Sequence, residues 1–164
     1  MMKSVQVFLS CYKRPEYTQY TLDNLEKNTV YENVQFYLVD DGSGDYTKFL
    51  FQKFGESRMN TTIKVCDKNK GLRYRLQQFF EESSSFYLCK IDNDCLFSKG
   101  WLVKLVKIFE NCDLDILAPN EEEKNPAEKL GRYDKQTNCY LLKERVRAVG
   151  GLWIMKKDLL KDVK

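Results

Sequence analysis

Residues 86–94 read Phe-Tyr-Leu-Cys-Lys-Ile-Asp-Asn-Asp. A short, mostly apolar run of this length is typical of a buried strand, so we expect a strand over residues 86–91. Asp92 and Asp94 follow directly, and carboxylates beside a buried strand are costly unless a positive group meets them. A divalent cation that bridges carboxylates to a diphosphate is one such group. The stretch therefore favours a metal-assisted anion site, with a polar turn or a helix cap as the simpler alternative.

Short apolar runs recur on both sides of this stretch, at residues 5–9, 34–39, 62–66 and 114–118. The segments between them carry apolar residues at helical spacing, as at Leu72, Leu76, Phe79 and Phe80. Strands that alternate with helices at this spacing predict right-handed βαβ units. We therefore expect an α/β fold with a Rossmann-like, mostly parallel central sheet and helices on both faces.

The pattern changes after Ala118. Residues 119–138 are polar and aperiodic, which predicts a long loop, and loops of that length in a compact domain are usually functional or disordered. Further apolar pieces follow at residues 139–142, 146–149 and 152–155, and an amphipathic segment at 156–163 predicts a last helix.

Composition limits the classes of function. The 164 residues suffice for one domain with one core, and we expect residues 1–164 to form a single domain. A net charge of +3 is too weak to indicate nucleic acid as the main partner. No apolar stretch is long enough to cross a membrane, and no secretory signal precedes the six cysteines, so we expect a cytoplasmic location and reduced thiols.

The chain contains no histidine. Ser-His-Asp and Cys-His mechanisms are therefore impossible within it, and a general base would be Asp or Glu, or less often Lys, Tyr or Cys.

Polar residues collect after four consecutive predicted strands. In a parallel α/β sheet, ligands bind outside the carboxyl ends of the strands, so these residues should meet at one edge. The four segments are Ser-Cys-Tyr-Lys-Arg-Pro at 10–15, Asp-Asp-Gly-Ser at 40–43, Asp-Lys-Asn-Lys-Gly at 67–71 and Asp-Asn-Asp at 92–94.

The order of these motifs, with Gly-Trp-Leu at 100–102 and Val-Gly-Gly at 149–151, resembles the family 2 glycosyltransferases with a GT-A fold. The resemblance covers residues 5–163, nearly the whole chain. It implies a metal-dependent, inverting transfer of a sugar from a nucleotide diphosphate sugar to an acceptor hydroxyl. Mn²⁺ or Mg²⁺ is the implied cofactor and a UDP-sugar the favoured donor, whereas the acceptor could be a glycan, a protein or a lipid.

The resemblance also implies roles for individual residues. Nucleotide-side residues would be Ser10, Tyr12, Arg14, Asp40, Asp41, Asn69, Lys70, Gly71, Asp92 and Asn93. Asp41, alone or together with Asp40, would accept a hydrogen bond from an N–H of the base. Asp94 would bind the metal, and Asp92 would approach either the ribose or the metal. Gly150 and Gly151 would let backbone approach the sugar or acceptor, and Trp153 would be either a core residue or a sugar-stacking surface.

Two departures from the family pattern stand out. Many relatives carry an arginine at the position of Leu76, and here Arg73 or Arg75 would have to replace it from a different helical face. Inverting relatives also supply a catalytic base from an acidic pair beyond the Gly-Gly segment, and the sequence ends at Lys164 before such a pair. We therefore expect a chain truncated on the acceptor side, and no residue is assigned as the catalytic base.

Two other functions compete with this interpretation. A non-catalytic module that binds a nucleotide sugar would keep Asp41, Asp92 and Asp94 without a base. A phospho-acceptor signalling domain would explain Asp40 and Asp41 but leave the Asp-Asn-Asp and Gly-Gly motifs unexplained. Under the favoured interpretation Asp41 is an exposed loop acid held for ligand, which would contribute little to stability.

Overall fold

The computed structural model describes residues 2–112, 114–118, 132–134, 139–141 and 151–161. Its first part alternates strands and helices as expected: β1 (Val5–Cys11), α1 (Pro15–Asn28), β2 (Val34–Asp40), α2 (Asp45–Ser57), β3 (Thr61–Val65), α3 (Leu72–Glu82), β4 (Tyr87–Ile91) and α4 (Trp101–Asn111). The later elements are β5 (Ile116–Leu117), β6 (Arg132–Asp134), β7 (Cys139–Leu141), β8 (Leu152–Lys156) and a 3₁₀ helix at Lys157–Lys161.

In the described part of the chain, six strands form the central sheet, in the order β3-β2-β1-β4-β8-β5. Strands β1 to β4 are mutually parallel, whereas β8 runs antiparallel to both β4 and β5. The strand order reverses between β1 and β4, and such a reversal opens a crevice at the carboxyl ends of the two strands. Strands β6 and β7 form a separate antiparallel pair.

Alternation along the strands divides the core between the two faces of the sheet. Val7 and Leu9 of β1 face a large cluster that includes the apolar sides of α1, α2 and α4. Phe8 points the other way, into a smaller cluster with Phe79 of α3 and residues of the 3₁₀ helix. Because both faces are covered, the central strands are mostly apolar, which explains the apolar runs in the sequence.

The later part of the chain departs from expectation in three places. The fifth strand is confined to Ile116–Leu117 instead of residues 114–118, and the expected helix at 156–163 is a short 3₁₀ helix that follows β8. Within the expected loop, Arg132–Asp134 is a strand, because it has β7 as a partner. The rest of that loop and the apolar piece at 146–149 lie outside the described residues. No helix among the described residues has the length and apolarity needed to cross a membrane.

Candidate functional site

A cleft of about 290 Å³ opens at the carboxyl edge of the sheet, across the reversal between β1 and β4. Ten of the described residues line it, and nine of these are residues that the sequence predicted for the site. The lining consists of Ser10, Tyr12, Arg14, Asp41, Asn69, Gly71, Leu72, Asp92, Asn93 and Asp94. Residues far apart in sequence therefore form one surface, as the shared edge of a parallel sheet requires.

Asp41 is the most deeply buried acid of the cleft, at 2% exposure, which corrects its expected place as an exposed loop acid. Arg75 of α3 donates from Nε to Asp41 Oδ1 at 2.6 Å, and the backbone N–H of Gly71 donates to Oδ2 at 2.9 Å. The N–H of Lys70 also contacts the carboxylate, at 3.1 Å from Oδ1. Asp41 therefore ties the loop after β3 and the start of α3 to the end of β2.

Arg75 is an unexpected member of this group. It is itself only 5% exposed, and it also donates to the Lys68 carbonyl oxygen and to Gln78 Oε1. The sequence raised Arg75 as a replacement for the family arginine but placed it on an unsuitable face. The structure brings it to the end of β2, where its guanidinium neutralises Asp41.

Asp40 does not line the cleft. Its Oδ1 accepts a hydrogen bond from the backbone N–H of Ser43 at 2.7 Å, which closes the turn between β2 and α2. Gly42 lies in that turn with φ +86°, and a Cβ there would lie 3.0 Å from the Asn69 nitrogen. A larger residue would thus be both strained and crowded, so the turn and the loop after β3 pack together through glycine.

The loop after β1 carries unusual backbone geometry. Lys13 and Arg14 both have positive φ, at 50° and 83°, immediately before Pro15 begins α1. The Lys13 N–H donates to Ser43 Oγ at 2.9 Å, and the Arg14 carbonyl accepts from Thr18 Oγ1 at 3.1 Å. Non-glycine residues in this region cost about 1–3 kcal/mol each and persist where neighbouring contacts fix them. The geometry directs Arg14 Nη1 to Asp94 Oδ2, at 3.0 Å.

Hydrogen bonds fix the Asp-Asn-Asp segment to two other parts of the chain. Asn93 Nδ2 donates to Thr18 Oγ1 at 3.0 Å, and Thr18 Oγ1 lies 3.0 Å from Cys11 Sγ. The Asp92 N–H donates to the Gly151 carbonyl oxygen at 2.8 Å, just before β8 begins. Asn93 therefore fixes the segment to α1, and Gly151 fixes it to the antiparallel strand.

Lys90 is the second residue that the sequence left unassigned. It lies in β4, is 4% exposed, and its Nζ contacts Asp92 Oδ1. The available signal was a charged residue inside an apolar run, two positions before an acid, because residues i and i+2 of a strand share a face. The same kind of signal did not exist for Thr18, whose role depends on a distant amide.

The other described residues that the sequence predicted for the site do not line the cleft. Lys70 contributes its backbone, while its Nζ lies 4.5 Å from the centre of the Tyr74 ring. Trp153 packs against Phe80 at 6.0 Å between ring centres, within the smaller core cluster and away from the cleft lining. Gly151 contacts the Asp-Asn-Asp segment through its carbonyl oxygen, which accepts from the Asp92 N–H, and Gly150 lies outside the described residues.

Cys95, just after the Asp-Asn-Asp segment, also contacts Gly151. Burial raises the pKa of its thiol, so it stays protonated and its Sγ donates to the Gly151 carbonyl oxygen at 3.6 Å. Cys11, Cys66, Cys89 and Cys95 are all thiols and not disulfides in the structure, as the sequence predicted.

Asp92 and Asp94 are the residues of the cleft best suited to a divalent cation. Both are partly exposed there, at 37% and 40% of their side chains. Among the described residues no three Cys, Asp or Glu side chains cluster into a complete protein site. One or two carboxylates nevertheless suit Mg²⁺ and similar cations, which take their remaining ligands from phosphates and water. The donor set fits a cation that arrives with a phosphorylated ligand.

Comparison with known sequences gives one family match, to the family described as Glycosyl transferase family 2, over residues 6–164. The glycosyltransferase AglE of Haloferax volcanii is 26% identical over 166 residues, which is 97% of this chain and 54% of the relative.

Solved structures give the same picture of the fold. The mannosyltransferase PcManGT of Pyrobaculum calidifontis, in complex with GDP-Man and Mn²⁺, matches with a TM-score of 0.75 at 15% identity, over 99% of this chain and 47% of that one. Residues 1–349 of S. aureus TarS in complex with UDP-GlcNAc match with a TM-score of 0.78 at 19% identity, over 97% and 47%. The chain thus spans about half the length of the relatives it matches.

Proposed function

Because the chain belongs to glycosyl transferase family 2, we propose that it acts in the transfer of a sugar from a nucleotide diphosphate sugar to an acceptor hydroxyl. Its fold is the GT-A fold that the sequence resemblance implied, as the structural likenesses confirm. The observation that carries the proposal is the cleft itself, which gathers nine predicted site residues at the reversal of the strand order.

The nucleotide is proposed to lie over the ends of β1 and β2. Tyr12, 44% exposed at the cleft, offers a ring face to the base, and Asp41 retains acceptor capacity for a base N–H beyond its bonds to Arg75 and the backbone. We favour a UDP-sugar as the donor, and the ring N–H of uracil suits a carboxylate acceptor. Support for nucleotide sugars as a class comes from the relatives solved with UDP-GlcNAc and with GDP-Man.

The diphosphate is proposed to lie between Arg14 and Asp94. Arg14 offers a guanidinium for phosphate oxygens, and Asp92 offers an acceptor for a ribose hydroxyl. When bound by Asp94, Mn²⁺ or Mg²⁺ would offset the charge that develops on the departing nucleotide diphosphate. The protein's contribution is then to position the donor and to supply fixed charges around it. We propose an inverting reaction in which a carboxylate accepts the proton of the acceptor hydroxyl.

Calorimetry of UDP, GDP and a panel of UDP-sugars tests the binding step. We expect binding with Mn²⁺, little binding with a chelator, and a strong loss in Asp94→Ala. Asp45→Ala serves as a matched control, since Asp45 is an exposed acid in the first turn of α2 and does not line the cleft. Equal affinity with and without metal, or an equal loss in both variants, would contradict the metal bridge.

A module that binds the nucleotide sugar without transferring it is the second candidate. It is favoured by one observation: among the described residues, each carboxylate that lines the cleft lies beside a basic side chain, so none is poised as a base. Donor hydrolysis separates the two candidates. Release of sugar from the bound donor, abolished by Asp94→Ala, supports the enzyme, whereas tight binding with no turnover supports the module.

A further inference from the structure

Lys90 is an unusual residue for its position. It occupies the middle of the sheet in β4, paired in register with Phe8 of β1 and with Trp153 of β8. Leu88, two positions earlier, belongs to the apolar cluster on the α3 face, and alternation places the Lys90 side chain on that same face. A buried ammonium group in such surroundings is costly unless it meets an anion, so its retention calls for a specific partner.

The Asp92 carboxylate is a partner of this kind. Lys90 Nζ contacts Asp92 Oδ1, and the two side chains differ sharply in exposure, 5% for Lys90 against 37% for Asp92. The backbone of Asp92 is fixed as well, because its N–H donates a hydrogen bond to the Gly151 carbonyl oxygen. Asp92 is therefore held from behind by a buried cation while one side of it faces the cleft.

Asp94 is held very differently. Its partner Arg14 approaches from another loop, and both side chains are about half exposed, at 49% and 40%. A pair this open to solvent is easily exchanged for other partners, whereas a pair with a buried lysine is not. The two acids of the Asp-Asn-Asp segment are thus unequal, one fixed and compensated, the other exchangeable.

We propose that Lys90 is a positioning residue that fixes Asp92 as a neutralised hydrogen-bond acceptor for the donor ribose and leaves Asp94 as the main metal ligand. This rests on the proposed function, because it concerns how the same cleft divides its two acids. Lys90 takes Oδ1, so Oδ2 remains for the ligand. The paired charge also keeps Asp92 from repelling the diphosphate, which an uncompensated carboxylate would do.

The test measures how strongly the chain prefers a ribose over a deoxyribose. Calorimetry with Mn²⁺ compares UDP with its 2′-deoxy and 3′-deoxy analogues. We expect the wild-type chain to prefer UDP to at least one analogue by about tenfold, the effect of one hydrogen bond to a charged acceptor. Asp92→Asn and Lys90→Met should both bring that ratio close to one. Lys64→Met, which removes a strand lysine paired with Glu82 away from the cleft, should leave it unchanged.

A second readout uses Mn²⁺ alone, followed by electron paramagnetic resonance. Lys90→Met should bind Mn²⁺ more tightly than the wild type, because Asp92 is then released as a further carboxylate ligand. A merely structural role for Lys90 would not produce this gain. An unchanged or weaker Mn²⁺ affinity in Lys90→Met, or an unchanged ribose preference, would overturn the proposal.

The double variant Lys90→Met with Asp92→Asn covers the case in which Lys90→Met alone fails to fold, since it removes the whole charged pair. Because Lys90 is proposed to act only through Asp92, the double variant should bind UDP as Asp92→Asn does. Clearly weaker binding by the double variant would overturn the proposal. Absence of nucleotide binding in the wild-type chain would refute the proposed function and this inference together, whereas normal wild-type binding with unaltered ratios would refute this inference alone.

Discussion

The three carboxylates that line the described part of the cleft differ in how far they and their basic partners are exposed to solvent. In order of increasing exposure the pairs are Asp41 with Arg75, Asp92 with Lys90, and Asp94 with Arg14. Removing one partner of a buried pair leaves an uncompensated charge in the interior, while breaking an exposed pair changes stability by at most about 1 kcal/mol. The same three acids should therefore give three different responses to substitution.

Asp41→Ala should destabilise the fold by about 3 kcal/mol, because it leaves Arg75 buried without its carboxylate and two backbone N–H groups without their acceptor. Asp94→Ala should cost less than about 1 kcal/mol. Urea denaturation of both variants in the absence of ligand measures the difference. Similar small effects in the two variants would mean that Asp41 is held only for the ligand.

Glycine substitutions that relieve backbone strain in the loop after β1 should have similar effects on stability but different effects on ligand binding. Lys13→Gly and Arg14→Gly each allow the positive φ without a side-chain penalty, so each should raise the free energy of unfolding by about 1 kcal/mol. Only Arg14→Gly should weaken binding of a nucleotide diphosphate, since it alone removes the guanidinium. Denaturation and calorimetry on the pair of variants test both halves, and a loss of stability in Lys13→Gly would contradict the strain.

Among the helices, α3 is attached to the sheet at both of its ends. Arg75 in its first turns binds Asp41 at the end of β2, and Glu82 in its last turn accepts from Tyr37 of β2 at 2.9 Å and pairs with Lys64 of β3 at 3.0 Å. The apolar spacing of Leu72, Leu76 and Phe79 predicted this helix correctly. It did not predict that Leu72 would line the cleft or that Arg75 would be buried, because the deciding partner, Asp41, lies 34 residues away.

The attachment at Glu82 should depend on pH. Hydrogen bonds from Lys64 and Tyr37 lower the pKa of Glu82, so its stabilisation is present above the unfolded-state pKa of about 4.3 and is lost as the pH falls through the lower folded-state pKa. Glu82→Gln should lower the free energy of unfolding at pH 7 by less than about 1 kcal/mol, since the pair with Lys64 is half exposed.

Denaturation of Glu82→Gln and wild type across the acid range measures this effect. The difference between them should shrink to zero once Glu82 is protonated in both states. Glu56→Gln, which removes an exposed acid from the last turn of α2, serves as the control. A difference that persists at the acid end would show that Glu82 stabilises the helix by something other than its charge.

The sequence predicted the overall architecture more completely than it predicted the contacts within the site. Runs of residues such as Val34–Asp40 are buried on both faces, so their apolar character alone indicates a covered parallel sheet, and the carboxyl edge then collects the polar residues. The sequence did not predict that β8 runs antiparallel to β4, because nothing in Leu152–Lys156 distinguishes a parallel from an antiparallel strand. Lys90 was counted with the apolar run, since its partner becomes evident only when residues two apart on the strand are compared.

The labelling rate of a cysteine at the centre of the sheet should show that the fold unfolds as a single unit. Cys89 in β4 is fully buried and burial raises the pKa of its thiol, whereas Cys66 after β3 is partly exposed. Pulsed labelling with a maleimide, followed by mass spectrometry, should modify Cys66 without unfolding. Cys89 should react only at the rate of global unfolding and with its full dependence on denaturant. Comparable native-state rates at the two thiols would contradict a cooperative sheet.

The Gly151 carbonyl oxygen accepts hydrogen bonds from both Asp92 and Cys95. The site is therefore completed only after Gly151 has been synthesised. A nascent chain emerges from its amino terminus, so β1 to β4 and the Asp-Asn-Asp segment leave the ribosome well before Gly151 does. Until the later residues dock, β4 has an unpaired edge and Asp92 lacks its backbone acceptor. The Asp-Asn-Asp side of the cleft is thus synthesised before Gly151 but completed only after it, which makes formation of the whole cleft depend on docking of the antiparallel strand.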